Sequence, residues 1–247
     1  MGRFFFKQFS VKQDISAMKV NTDGVLLGAW CSLPAIPAGE SSVKIIDVGT
    51  GTGVIALMIA QRLQSAGLLA SITGIDSDIP SAEEARENFR ESLWSDSLKS
   101  FPVSFKEYQM KLAEKIDLVV SNPPYFNNSL KAPCNRRSNA RHTDNLSFSE
   151  LIECSSKILS PGGLFSVILP KEAEMEFVSI ANSNSLFLSR ICRVSTINGE
   201  NERRVMMEFV KGIAGSINEE RLSVQESPNG SYTSRYRTLT GDFYLKF

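Results

Sequence analysis

Two short stretches of the chain carry side chains whose types and spacing suit group transfer. One is Asp47-Val48-Gly49-Thr50-Gly51-Thr52-Gly53 and the other is Asn122-Pro123-Pro124-Tyr125. In the first, glycines at alternate positions let a backbone turn sharply and approach a ligand at a helix N-terminus. A dinucleotide fingerprint would place glycine at position 54, which is Val54, so the spacing argues against NAD. Asp47 argues against a pyrophosphate as well, because a carboxylate repels phosphate charge. It suits a ligand with a cationic end, and S-adenosylmethionine, with its ammonium and sulfonium, qualifies. Asp76, in "GIDSD", stands where an acid accepts hydrogen bonds from both hydroxyls of a ribose.

The second stretch follows the apolar run "IDLVVS". Two prolines there either stop a strand or make a rigid shelf. An exocyclic amine on adenine is a poor nucleophile because its lone pair is delocalised into the ring. The Asn122 side-chain oxygen and the Pro123 carbonyl can accept its two N–H bonds and favour a pyramidal nitrogen. Acceptors fixed in advance stabilise the developing positive charge without reordering. Pro123 and Pro124 fix the backbone, and Tyr125 offers a ring on which a flipped base stacks. Such chemistry needs no strong base, so the single histidine, His142, has no assigned role.

The elements that must position these residues follow from patterning. "SVKIIDVG" reads as a buried strand and "TGVIALMIAQRLQSAG" as an amphipathic helix. "LLASITGID" is the next strand, and "PSAEEARENFRESLW" a helix with proline in its first turn. "FPVSFKEY" and "IDLVVSN" read as two further strands with little room for a helix between them. "SFSELIECSSKILSPGG" is a helix with Ser147 and Glu150 as a capping box, and "GLFSVILP" is a fifth strand. A helix to about position 183 precedes "LFLSRICRVSTI" and "RRVMMEFVKG", which read as an antiparallel pair at one sheet edge. Strands separated by helices predict a parallel α/β sheet with right-handed crossovers.

The bulk properties bound the function. The chain has 247 residues, enough for one sizeable core, and a formal net charge of zero, so no global basic field draws in nucleic acid. Local charge differs. Lys131, Arg136, Arg137 and Arg141 lie in a run without an acid, directly after the shelf, where cations can hold phosphates beside a target base. Near the start, Arg3, Lys7, Lys12 and Lys19 face only Asp14 in the sequence, and Arg235 and Arg237 add charge near the end. Cys31, Cys134, Cys154 and Cys192 are too scattered for a zinc site, which leaves reduced thiols and a cytoplasmic setting as the expectation. No metal, membrane span or secretory signal is expected.

The chain resembles class I S-adenosylmethionine-dependent amino-methyltransferases with the Asn-Pro-Pro-Tyr signature. "FFFKQFSVKQDISAMKVNTDGVLLGAW", "SNARHTDNLSFSELI", "ERRVMMEF" and "LTGDFYLKF" extend this to the bacterial tRNA1(Val) adenine-37 N6-methyltransferase family, over nearly the whole chain. The resemblance implies a Rossmann-like, seven-stranded, mostly parallel sheet with an antiparallel last strand and helices on both faces. It further implies an N-terminal arm (1–40) that covers the cofactor and contacts RNA, a methyltransferase domain (41–212) and a tail (213–247) docked on it. Asp47, Gly49 and Gly51, with Gly53, would line the methionine part of S-adenosylmethionine, and Asp76 its ribose. Asn122 would face both cofactor and base. Thr22 is the arm's candidate contact, and Glu107 stands in for the acid that often ends the third strand near the adenine. Lys7, Lys131, Arg136, Arg137 and Arg141 would contact the tRNA. Rival readings are methylation of a glutamine amide in peptide release factors, methylation of another RNA or DNA amine, and a non-catalytic cofactor- or RNA-binding module.

Overall fold

The computed structural model describes residues 2–36, 39–124, 146–212 and 215–246. The chain opens with an antiparallel hairpin, β1 (Arg3–Phe5) and β2 (Ser10–Lys12). A loop leads to α1 (Thr22–Trp30), whose start is set by Asn21: its side-chain oxygen accepts from the Gly24 N–H at 2.9 Å. Strands and helices then alternate as β3 (Val43–Val48), α2 (Val54–Ser65), β4 (Ala70–Asp76), α3 (Ile79–Arg90), β5 (Leu98–Pro102) and α4 (Phe105–Lys111). There follow β6 (Ile116–Ser121), α5 (Phe148–Ile158), β7 (Leu159–Pro170), α6 (Glu174–Ser183), β8 (Leu186–Ile197), β9 (Glu202–Lys211), β10 (Asn218–Gln225) and α7 (Ser234–Thr240).

The main sheet has eight strands in the order β10-β8-β9-β7-β6-β3-β4-β5. Strands β3 to β7 are parallel to their neighbours among themselves, as the alternating pattern predicts. β9 is antiparallel to both β7 and β8. A tight turn through Gly199, at φ 82°, joins β8 to β9 and enforces that orientation. The pair expected at the edge is therefore displaced inward. β9 slots between β7 and β8, and β10, parallel to β8, forms the outer edge as an eighth strand beyond the seven expected.

Both faces of the sheet are covered, which is why its central strands are apolar along their length. On β3, Ile45 joins a core built with Leu26, Leu57, Met58 and Phe89, and the next residue, Ile46, joins a second core with Leu151, Ile152 and Phe177. The alternation is that of a pleated strand. A buried carboxylate ties α1 to the sheet. Glu208 on β9 accepts from the Ser32 N–H and hydroxyl, both at 2.7 Å, and from the Ser166 hydroxyl on β7 at 2.8 Å. The C-terminal aromatics meet the hairpin: Phe6 bridges to Tyr244, and the Lys7 N–H donates to the Phe243 carbonyl at 2.8 Å.

One predicted strand is corrected. "FPVSFKEY" ends as strand at Pro102 and becomes α4 from Phe105. Ser104 caps this helix by accepting from the Glu107 N–H at 3.3 Å, while its hydroxyl donates to the Glu107 carboxylate at 2.9 Å. None of the described helices is long and apolar enough to cross a membrane.

Candidate active site

The turn after β3 is built by backbone that only glycine adopts readily. Gly49, Gly51 and Gly53 have φ of 70°, 53° and 80°. The turn is fastened to the end of β4: the N–H groups of Gly49 and Thr50 donate to the Ile75 carbonyl at 2.9 and 3.0 Å, and the Gly51 N–H donates to Asp76 Oδ2 at 2.9 Å. The three glycines differ in what surrounds them. A Cβ on Gly49 or Gly51 would meet nothing within 4 Å, so the backbone there borders open space. A Cβ on Gly53 would lie 2.4 Å from Phe89 Cε1. Gly53, also expected beside the cofactor, is required as glycine where the start of α2 packs on α3.

Asp47 is wholly buried at the end of β3. Its Oδ2 accepts from the Thr50 hydroxyl at 2.7 Å, and its Oδ1 is buried with no hydrogen-bond partner among the described residues. Burial pushes its carboxyl up to about 7, against the pull of the Thr50 hydroxyl and of the Ala56 backbone N–H at the start of α2, and with added repulsion from Asp76. Asp76 is raised from the ordinary carboxylate value, chiefly by burial, though it accepts from the N–H groups of Gly51 and Asp78. Two acids raised by burial, one with an unmet oxygen, form a place where a cationic group is favourable.

Asn122 follows β6, the strand next to β3. In that pair Val48 stands opposite Ser121, and the Ser121 hydroxyl donates to the Val48 carbonyl at 2.8 Å. The glycine turn and the Asn-Pro-Pro segment therefore begin side by side on the same carboxyl edge. Asn122 and Pro123 are buried, and Pro124 is exposed. The Asn122 Nδ2 lies 3.9 Å from the Sδ of Met18, in the loop before α1. Tyr125, Lys131, Arg136, Arg137, Arg141 and His142 lie outside the described residues.

Other expected contacts fall in varied surroundings. Thr22 is exposed at the first position of α1. Glu107 does not end a strand; it is exposed in the first turn of α4 with its carboxylate engaged by Ser104. Lys7 donates to the Gly241 carbonyl. Two of the N-terminal cations that face only Asp14 in sequence meet acids in and just after α3: Arg3 pairs with Glu91 at 2.7 Å, and Lys12 with Glu91 at 2.6 Å and Glu87 at 3.1 Å. Arg235 pairs with Glu220. Sequence reasoning missed Thr50, Glu84, Asn88 and Met18. Glu84 and Asn88 bind backbone near positions 12 to 16, a separation that no local pattern encodes.

These residues fit S-adenosylmethionine. The unmet Asp47 oxygen calls for a donor, and the space over Gly49 and Gly51 admits a ligand against bare backbone. Comparison with known proteins agrees. The methyltransferase small domain model matches residues 28–186. A tRNA1(Val) (adenine(37)-N6)-methyltransferase of Bacteroides fragilis is 43% identical over 98% of this chain and 98% of its own. Relatives of the same name from Flavobacterium psychrophilum and Trichodesmium erythraeum are 39% and 40% identical, covering 98% and 100% of this chain and 99% of each of theirs. Among solved structures, a protein of Agrobacterium tumefaciens described as a predicted O-methyltransferase superposes with a TM-score of 0.65 at 19% identity, covering 90% of this chain and 96% of that one. That likeness shows the shared fold.

Proposed function

The chain belongs to the methyltransferase small domain family and, within it, to the tRNA1(Val) (adenine(37)-N6)-methyltransferases, and from that premise we propose that it methylates N6 of adenine 37 in the anticodon loop of tRNA1(Val). The observation that carries the proposal is the register of β3 and β6. Because Val48 lies opposite Ser121, the glycine turn and Asn122 are adjacent, as a donor pocket and an amine-binding shelf must be.

S-adenosylmethionine supplies an electrophilic methyl group on a sulfonium. Asp47 would hold its cationic end, Asp76 its ribose, and Gly49 and Gly51 would let it approach the backbone. The chain's remaining work is to present the amine. The Asn122 side-chain oxygen and the Pro123 carbonyl accept the two N–H bonds of the adenine amine and orient its lone pair. They also stabilise the positive charge that grows on nitrogen. The prolines keep both acceptors in place before the base arrives. Tyr125 would stack on the base, and Lys131, Arg136, Arg137 and Arg141 would hold phosphates beside it. The product ammonium loses its proton to water, so no side-chain base is needed.

Transfer of labelled methyl to an unmodified tRNA1(Val) transcript tests the proposal. Incorporation that disappears when adenine 37 is replaced by guanine supports it. Equal incorporation into both transcripts moves the target elsewhere, and none into either refutes it.

A further inference from the structure

Three successive backbone N–H groups converge on one side chain. Those of Asp14 and Ile15 donate to Oε1 of Glu84 at 2.7 and 2.9 Å, and that of Ser16 donates to Oε2 at 2.8 Å. Glu84 lies on α3 and is only 3% exposed. Burial raises its carboxyl, but the hydrogen bonds from residues 14 to 16 outweigh that and hold it below the ordinary range. A turn further along α3, Asn88 accepts from the Lys12 N–H at 2.8 Å and donates to the carbonyls of Lys12 and Thr52 at 3.0 and 2.9 Å. Beyond residue 16 the Val20 N–H donates to Gln13 Oε1 at 2.9 Å, which closes the segment on itself, and Met18 reaches Asn122.

The route of this segment follows from strand order. α3 succeeds β4, and Asn122 succeeds β6, with β3 between β4 and β6. A chain running from Glu84 to Asn122 crosses the carboxyl ends of β4 and β3, where Asp76 and the glycine turn lie. On the cofactor reading proposed above, this route makes the segment a strap over the cofactor place. Charge-assisted bonds to a carboxylate are strong, yet all three depend on one side chain and are lost together.

We propose that Glu84 is a positioning residue: it latches residues 14–16 to α3, holds the strap closed over the glycine turn, and must release it for S-adenosylmethionine to enter and its product to leave. The inference rests on the cofactor reading above. An apolar side chain would fill this place but would leave the N–H groups of residues 14 to 16 without their acceptor. The carboxylate gives the strap a fastening that fixes backbone rather than side chains.

The test uses the full chain and two measurements: hydrogen exchange of the backbone amides at 14–16, and the dissociation rate of S-adenosylhomocysteine. In Glu84→Gln, exchange at 14–16 accelerates about tenfold or more, protection at Val119 and Val120 is kept, and the ligand leaves about tenfold faster. Ile15→Pro removes one donor at an exposed position without touching α3, and it too releases the ligand faster. Unchanged exchange at 14–16 overturns the latch, as does loss of protection throughout the sheet in Glu84→Gln combined with unchanged release in Ile15→Pro. If the wild type binds no S-adenosylhomocysteine, the cofactor reading fails, while the exchange measurement still decides whether Glu84 fastens the strap.

Discussion

Gly53 and Phe89 stand so close that a Cβ on the glycine would lie 2.4 Å from the ring's Cε1. The last glycine of the turn is a contact between two helices, whereas Gly49 and Gly51, four and two residues earlier, border open space. One motif thus contains two physical constraints, and substitution separates them.

Gly53→Ala forces a methyl into the Phe89 ring at a positive φ, and is expected to lower stability by about 2–4 kcal/mol from overpacking and left-handed strain together. Gly49→Ala meets no neighbour and bears only the strain, about 1–2 kcal/mol. Its methyl enters the space assigned to the cofactor, so S-adenosylhomocysteine affinity drops by about tenfold or more. Urea denaturation and calorimetry on both variants check the contrast.

Asn122→Ala removes one of the two acceptors proposed for the amine and leaves the glycine turn intact. Its kcat is expected to fall by about 100–1,000-fold, the usual effect of deleting one preorganised electrostatic partner, while cofactor affinity changes little. Single-turnover methylation beside equilibrium binding makes the separation. A matching loss of cofactor binding would show that Asn122 only supports the edge of β6.

Asp47 gives a pH signature. Its carboxyl sits at about 7 in the free protein, pushed up by burial, and faces the Thr50 hydroxyl, the Ala56 backbone N–H and the Asp76 carboxylate. The ammonium of the ligand's amino-acid end favours the ionised form, so the complex carries fewer protons than the free protein below that pH. Affinity for S-adenosylhomocysteine therefore rises as pH climbs towards 7 and levels above it. Free-protein stability runs the other way. The unfolded Asp ionises near its ordinary value of 3.8, so stability contributed by the protonated native carboxyl is lost as pH rises from there through 7. Asp47→Asn flattens both slopes, as calorimetry and melts across this range will register.

Glu208 is a structural counterpart. Its carboxylate takes three hydrogen bonds from Ser32 and Ser166 and lies 3.8 Å from the Arg190 guanidinium. Glu208→Ala leaves those donors buried without an acceptor and is expected to cost about 2–4 kcal/mol, with Glu208→Gln costing less. Chemical denaturation measures both.

β3 and β6 were legible because they are buried on both faces and run into Gly49 and into Asn122-Pro123, and β4 because its apolar run stops at Asp76; all three follow the apolar runs closely. α4 was misread as strand because Phe101, Val103 and Phe105 alternate. The Ser104-Phe-Lys-Glu107 capping box, the same signature that marks α5, was the signal that outweighed alternation. β10 escaped because "NEERLSVQ" is a charged edge strand, held by pairing with β8 rather than by apolar periodicity. The glycine turn was legible as a motif but not in its division of labour, which depends on where Phe89 lands. Long-range polar ties such as Glu84 to the N-terminal backbone leave no periodic trace.

The inward position of β9 has a consequence for how the molecule is made. A ribosome delivers β8 before β9, yet β8 touches β7 only through β9. Until residue 211 has emerged, β7 keeps a bare flank and β8 has no berth, whereas β3, β4, β5 and β6 can already pair. Synthesis thus finishes the catalytic edge first and the opposite half last, and a nascent chain stalled before β9 exposes an apolar ledge that invites chaperones or mispairing.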